Sequence, residues 1–294
     1  MLRVLEKRVP GIHTPPGGEQ LEVMLGNRRP MQFSSGAPEP GDILIAGDSS
    51  SALDLLYHLA GEEIPGPWGS LICHTQWAGR GRRGRKWSSG KGNIFGALLL
   101  PEMPPSWENL EPLAAGFFIS SGLSKRGFKT GVKWPNDLIS SGRKIGGILV
   151  ERKNGLTAAG IGINLNSSPG PEPSGRGFLP PGNLTSEGGD RVPPAALWEF
   201  LVKDFKKMYY DTVDKMSAEE FTRMLGPRLE FYGKKLRLLL PSGEIIAGFH
   251  SGLDTGGGLR VLSGGAQRVL TSAEIISAGP EKAHGLPEYT PERE

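Results

Sequence analysis

The sequence predicts a globular chain that combines α-helices with β-strands and ends in a small β-barrel. Two observations among its 294 residues support this prediction. First, an apolar strand at residues 43–45 precedes a helical pattern of Leu53, Leu55, Leu56 and Leu59, which is how an α/β unit begins. Second, the chain changes near residue 235 to short apolar runs separated by Gly-rich turns, which is typical of a small barrel.

The other elements follow from apolar runs and turn residues. Strands are predicted at residues 71–75, 94–100, 132–134, 145–151 and 158–165, helices at 106–125 and 194–210, and barrel strands at 235–240, 245–250, 259–262 and 268–270. Asn154-Gly155 predicts a hairpin turn. Residues 167–194 are mostly Pro, Gly, Ser and Asn, and so long a loop is usually functional or disordered.

These patterns divide the chain into four parts. Residues 1–40 form an unassigned Pro/Gly-rich N-terminal extension, and residues 41–230 form the main domain. Residues 231–279 form the small barrel, and the charged stretch 280–294 is expected to be a disordered tail.

The composition excludes several classes of protein. Lys and Arg number 34 against 31 Asp and Glu, so the chain is too balanced to be a wholly cationic nucleic-acid binder. One cysteine, Cys73, excludes an internal disulfide framework and a cluster of cysteine metal ligands. The first 13 residues lack the apolar run of a secretory signal, and no run approaches the ~18 residues of a membrane span. We therefore expect a soluble, cytoplasmic protein.

The strongest local signal is GRGRRGRKW at residues 79–87, which holds five cations and three glycines in nine residues. Glycines let backbone N–H groups approach an anion, and arginines supply forked donors that match phosphate or carboxylate. The alternative is a flexible tract that binds RNA without sequence preference. Because the stretch lies between two predicted apolar strands, an ordered loop around an anionic ligand is favoured.

Two further motifs contain Gly residues where a ligand or another chain segment would pass close by. KWPND at residues 133–137 precedes RKIGGILVE at 143–151, and GIGINLN occupies 160–166. Lys144 is either a ligand-binding cation or a solvated lysine at a strand end, and Asp137 is either functional or a turn former. Alternating glycines in the last motif would leave one face open for a flat ligand, although they also occur where helices pack closely.

Together, these motifs resemble the biotin protein ligases, which attach biotin to a lysine of carboxylase carrier domains. The resemblance extends from about residue 43 to residue 276. It implies an α+β fold, with a mixed-sheet catalytic domain similar to class II synthetases and lipoate ligases, followed by an SH3-like barrel. The implied reaction makes biotinyl-5'-AMP and pyrophosphate from biotin and ATP with Mg²⁺, and then transfers biotin to the carrier lysine.

The resemblance assigns roles by motif position. It implies biotin contacts from Ser49, Ser50, Ser51, Gln76, Gly79, Arg80, Gly81, Arg82, Lys144, Gly147, Gly160 and Gly162, and nucleotide contacts from Arg80, Arg82, Arg85, Trp87, Lys144 and Asn164. Lys144, Arg82 and Arg85 would act in catalysis, and Asp137 would orient Mg²⁺ or the attacking amine, with no dedicated protein metal site. Ser51 departs from the family's usual Asn at that position, so its contact is in question.

The resemblance also implies partners and leaves rival functions open. The partners are biotin, ATP, a biotin carboxyl carrier protein and a second copy of the chain. Because about forty residues precede the catalytic region, too few for the winged-helix domain of some members, no DNA partner is expected. The nearest rival is a lipoate-type ligase, which shares the fold and the acyl-adenylate chemistry. A rival from another class is a non-catalytic RNA-binding module that uses the basic loop.

Overall fold

The computed structural model describes residues 2–4, 43–61, 67–170, 179–186 and 191–283. Its main sheet consists of β1 (Leu2–Val4), β2 (Ile43–Ser49), β3 (Ser70–Gln76), β4 (Ile94–Leu100), β5 (Gly131–Lys133), β6 (Asp137–Ser140), β7 (Arg143–Lys153) and β8 (Leu156–Ile163). Their order is β1-β2-β3-β4-β8-β7-β6-β5. The first two pairings are parallel and the others are antiparallel, which confirms the predicted mixed sheet.

Helices cover both faces of this sheet. They are α1 (Ala52–Ala60), α2 (Glu111–Ser124), α3 (Pro194–Thr212) and α4 (Ala218–Leu225). α1 buries its leucines in a small core on one face, and α2 and α3 pack in a larger core on the other. Two glycines of the central strands make room for this packing. A Cβ on Gly96 would lie 2.5 Å from the Trp198 ring, and one on Gly160 would lie 2.5 Å from Leu53.

A second, antiparallel sheet follows the helices. It consists of β9 (Lys234–Leu239), β10 (Ile245–Leu253), β11 (Leu259–Ser263), β12 (Ala266–Leu270) and β13 (Glu274–Lys282), in the order β12-β11-β10-β9-β13. Among the described residues, no backbone pairing joins the two edge strands, β12 and β13. The sheet therefore does not close into the predicted barrel. It is anchored to the main domain by Trp134, whose indole N–H donates to the Gly257 carbonyl at 2.9 Å.

Most predicted elements are present, and the differences have local causes. The predicted helix at 106–125 is a 3-10 turn (Pro105–Leu110) followed by α2, because Pro112 fits only the first turn of a helix. Asn154 and Gly155 form the predicted turn, with φ of 52° and 77°. β1, β6, α4 and β13 were not predicted.

The two ends of the chain are described only in part. β13 continues to Lys282, which pairs with Lys234, so the sheet includes the first residues of the predicted tail at 280–294. The rest of that stretch, from 284 onwards, lies outside the described residues, as do residues 5–42. No helix of the described chain is both long and apolar enough to cross a membrane.

Candidate active site

The three motifs meet around one cavity of about 860 Å³. Its walls come from the arginine loop (residues 79–87), the 133–137 turn, the glycine-containing parts of β7 and β8, and the N-terminus of α1. Residues 179–181 of the long Pro/Gly-rich loop and residues 273–275 of the second sheet complete the lining. Segments that are far apart in sequence therefore enclose a single space that is lined by both apolar and cationic side chains.

Most residues with predicted ligand contacts line this cavity. Those that do are Ser51, Gln76, Arg80, Gly81, Arg82, Arg85, Trp87, Asp137, Lys144, Gly147, Gly160, Gly162 and Asn164, whereas Ser49, Ser50 and Gly79 are not among the lining residues. The predicted biotin contact of Ser49 stays a prediction, and its surroundings show a role in the wall. Its side chain is fully buried, and its hydroxyl lies 3.1 Å from the Cys73 sulfur. Ser49 therefore supports the wall from behind.

The arginine loop is an ordered hairpin. The Gly81 N–H donates to the Arg85 carbonyl at 2.7 Å, and the Trp87 N–H donates to the Gly79 carbonyl at 2.8 Å. The tip turns through a 3-10 segment in which Arg83 and Gly84 have φ of 58° and 69°. This geometry favours the ordered loop over the flexible tract that the sequence left open.

The cations of the loop have different partners. Arg80 donates to both Asp54 and Glu151, and these carboxylates raise its pKa above the usual arginine value. Arg85 forms a two-point ion pair with Glu274 of β13. Arg82 contacts the amide oxygen of Asn136 at 3.4 Å, and no carboxylate partner is found for it among the described residues. Unlike Arg80 and Arg85, Arg82 is therefore able to meet an anion in the cavity without first leaving a carboxylate.

A lysine cluster formed by Lys133, Lys144 and Asp137 also lines the cavity. Each lysine ammonium lies 2.6 Å from a different oxygen of the Asp137 carboxylate. Burial raises the pKa of Asp137, but the charges of Lys144 and Lys133 outweigh burial and bring that pKa to about 2. Two positive charges and one negative charge leave the cluster at +1, on groups that line the cavity.

Trp87 fills space that was predicted to be open to a flat ligand. Its ring lies over two glycines, so that a Cβ on Gly162 would be 2.5 Å from the ring and one on Gly147 would be 3.3 Å away. Leu53 of α1 occupies the corresponding space over Gly160. The alternating glycines thus accommodate side chains of the protein itself. The Trp87 indole N–H is buried without a hydrogen-bond partner in the described structure, which leaves it available to a ligand.

Several amides hold the cavity wall together. Gln76 accepts from the Ala52 N–H at the start of α1 at 2.7 Å, and Asn164 donates to the Gly182 carbonyl at 3.0 Å. Sequence reasoning missed Asn93, whose buried side-chain oxygen accepts from three successive backbone N–H groups at residues 165–167. No sequence pattern marks this role, because its partners lie more than 70 positions away.

Comparison with known proteins gives one consistent result. Residues 69–168 match the model of the biotin/lipoate A/B protein ligase family. The biotin–[acetyl-CoA-carboxylase] ligase of Paracoccus denitrificans is 28% identical over 229 residues, which cover 73% of this chain and 93% of that protein. The bifunctional ligase/repressor BirA of Bacillus subtilis is 30% identical over 213 residues, 63% of this chain and 65% of that protein.

A solved structure supports the same relationship at the level of the fold. The biotin protein ligase from Aquifex aeolicus in complex with biotin and ATP has a TM-score of 0.67 and 25% identity, and the match covers 79% of this chain and 98% of that one. The sequence motifs, the mixed sheet and the relatives all agree: over most of its length the chain is similar to biotin protein ligases.

Proposed function

We propose that the protein activates biotin with ATP to form biotinyl-5'-AMP and pyrophosphate, and then transfers biotin to a lysine of a biotin carboxyl carrier protein. The observation that carries this proposal is the convergence of the arginine loop and the lysine cluster on one partly apolar cavity. Such a cavity suits a ligand with an apolar body and an anionic end that reacts with a polyphosphate. The relatives named above provide independent support.

In the first step, a carboxylate oxygen of biotin attacks the α-phosphorus of ATP, and the bond from that phosphorus to the bridging oxygen of pyrophosphate breaks. A carboxylate is already ionised at neutral pH, so no general base is needed. The protein must instead stabilise negative charge on the transferred and leaving groups. Arg82 and Lys144 both line the cavity and would do so, and Arg85 would meet the pyrophosphate.

Asp137 is poorly arranged to hold Mg²⁺ in this structure, because both of its oxygens accept from lysines. Among the described residues, no group of three His, Cys, Asp or Glu side chains could hold a metal ion. We therefore assign no step to a protein-held metal, and Mg²⁺ would enter on the phosphates of ATP. Asp137 holds Lys133 and Lys144 in place.

In the second step, the amine of the carrier lysine attacks the acyl carbon of biotinyl-5'-AMP, an amide forms and AMP leaves. The amine must lose one proton before it attacks and a second as the amide forms, and both pass to solvent water or to the phosphate of the leaving AMP. With a pKa of about 2, Asp137 is too weak a base to take either proton at neutral pH. Because both Asp137 oxygens already accept from lysines, its proposed role is to hold Lys133 and Lys144, and the predicted role in orienting the amine stays a prediction.

The remaining site residues divide between the two ligands. Ser51, Gln76 and Gly147, with Gly81 of the loop, would border biotin, and Gly160 and Gly162 would shape its pocket by making room for Leu53 and Trp87. Trp87, through its indole N–H, and Asn164 would border the nucleotide. Arg80 lines the wall between these groups, and direct contacts from Ser50 and Gly79 stay predictions.

The finer features of the proposal concern domains and partners. We assign residues 41–230 to catalysis and 231–279 to an SH3-like module, on the basis of the short antiparallel strands β9–β13, with residues 1–40 and 280–294 flanking them. The homodimer, the lack of a DNA partner and the cytoplasmic location also belong to the proposal.

Isotope exchange between pyrophosphate and ATP tests the proposal. We expect exchange that depends on biotin and on Mg²⁺, whereas lipoate supports little or none. Exchange with lipoate alone would identify the rival ligase. Salt-sensitive RNA binding without any ATP turnover would identify the non-catalytic alternative.

A further inference from the structure

The geometry around Arg80 suggests that not every arginine of the loop meets the ligand. An arginine side chain offers two edges with paired N–H donors, one formed by the two Nη atoms and one by Nε and Nη2. Asp54 accepts from the first edge, with Nη2 at 2.7 Å from Oδ1. Glu151 accepts from the second edge, at 3.2 Å and 2.9 Å. Both edges that could grip a phosphate are therefore in use.

The charges support the same conclusion. One guanidinium and two carboxylates sum to −1, so this group as a whole repels an anion, although Arg80 lines the cavity. The three side chains come from three separate elements, namely the arginine loop, α1 and β7. Each is about one-third exposed, so the group sits at the margin of the cavity and fastens the loop to the wall.

We propose that Asp54 and Glu151 are positioning residues that hold the arginine loop over the cavity through Arg80, and that Arg80 acts as their anchor and makes no bidentate contact with phosphate. We name Arg80, Asp54 and Glu151 the arginine clamp. By fixing residue 80, the clamp places Gly81 and Arg82, whose guanidinium reaches the 133–137 turn through Asn136. This inference rests on the proposed function for the identity of the anion, but the clamp itself is a property of the free protein.

The direction of the change in KM for ATP distinguishes a clamp role for Arg80 from a role as a phosphate ligand. In the Asp54→Asn/Glu151→Gln double variant, part of the free energy of ATP binding is used to order the loop. We therefore expect KM for ATP to rise about tenfold, whereas kcat changes less than about threefold. If Arg80 were instead a phosphate ligand, removal of its two competing carboxylates would free it, and KM for ATP would fall. An unchanged or lower KM overturns the proposal.

Limited trypsin digestion of the free protein tests the clamp without any substrate. Mass spectrometry follows cleavage after Arg80, Arg82, Arg83, Arg85 and Lys86, and none of these bonds is altered by the two substitutions. We expect cleavage within the loop to be at least about fivefold faster in the double variant, since an ordered loop is a poor protease substrate. Equal cleavage rates would overturn the proposal. Wild-type protein without biotin-dependent exchange would refute the proposed function and leave this result intact.

Two control variants complete the design. Glu108→Gln removes a carboxylate partner from Arg152, which is next to Glu151 on β7 but outside the loop, so loop cleavage and KM for ATP should stay at wild-type values. Glu151→Asp keeps a carboxylate at the clamp, and we expect it to restore at least half of the protection that Glu151→Gln loses. A Glu151→Asp protein no better protected than Glu151→Gln would contradict a role for the carboxylate.

Discussion

Two charged groups at the cavity are built in opposite ways. In the arginine clamp, one cation lies between two carboxylates, and the group carries −1. In the lysine cluster, one carboxylate lies between two cations, and the group carries +1. Clusters that look equally basic in sequence therefore differ in function. The arginine clamp joins the arginine loop to α1 and β7, whereas the lysine cluster leaves a net positive charge for a ligand.

The largest effect should follow from loss of charge at the lysine cluster. In Lys144→Ala the cluster has no net charge, so the developing negative charge of the transition state is no longer compensated. We expect biotin-dependent exchange to fall about 10²–10³-fold, the usual loss when one preorganised stabilising group is removed. We expect Arg82→Ala to reduce biotin-dependent exchange to a similar extent. Exchange within threefold of wild type in either variant, with an unchanged melting temperature, would remove that residue from the mechanism.

A smaller effect is expected when the central carboxylate of the lysine cluster is removed. Asp137→Asn leaves two neighbouring ammonium groups without their counter-charge. We expect the free energy of unfolding in urea to fall by about 2–3 kcal/mol, since the Lys144 side chain is 37% exposed whereas that of Lys133 is only 11% exposed. Lys133→Ala provides the matched comparison, because Asp137 keeps Lys144 as a partner there. Equal stability of Asp137→Asn and wild type would show that the cluster is not held by this carboxylate.

The same carboxylate makes the stability of the protein depend on pH. The pKa of Asp137 is lowered to about 2 in the folded state, from 3.8. Its contribution is therefore fully present above about pH 4 and is lost as the pH falls towards 2. We expect the stability difference between wild type and Asp137→Asn to shrink over this interval in urea titrations at each pH. A difference that stays constant down to pH 2 would contradict the assigned pKa.

The smallest effect should follow from loss of the exposed ion pair between Arg85 and Glu274. Arg85 is 53% exposed, and pairs of this kind are well screened by solvent. We expect Glu274→Gln to change KM for ATP by less than about threefold, with even less effect in 0.5 M salt. A change of more than tenfold would mean that the second sheet controls the loop, and that the clamp is not its main support.

Local patterns were enough to predict much of the fold and the main motifs. The apolar run at 94–100 is β4 to the residue, and Asn154-Gly155 forms its turn because both residues adopt positive φ. β6 escaped prediction because Asp137 follows Pro135 and Asn136, which favour a turn. β13 escaped because Gly279 and Pro280 interrupt its apolar pattern.

The electrostatic state of each site residue could not be predicted in the same way. Arg80, Arg82 and Arg85 are equivalent in the sequence, and they differ only in their partners. Asp54 and Glu151 lie 26 and 71 positions from Arg80, and Glu274 lies 189 positions from Arg85. Such pairings depend on how the strands and helices pack, and a single sequence carries no local signal for them.

Mass spectrometry of a biotin carboxyl carrier domain incubated with the protein, biotin, ATP and Mg²⁺ tests the central claim most directly. The account predicts one biotin on a single carrier lysine, with one AMP formed for each biotin transferred, and strong loss of both products in Lys144→Ala. A folded wild-type protein that yields neither AMP nor biotinylated carrier would contradict the account.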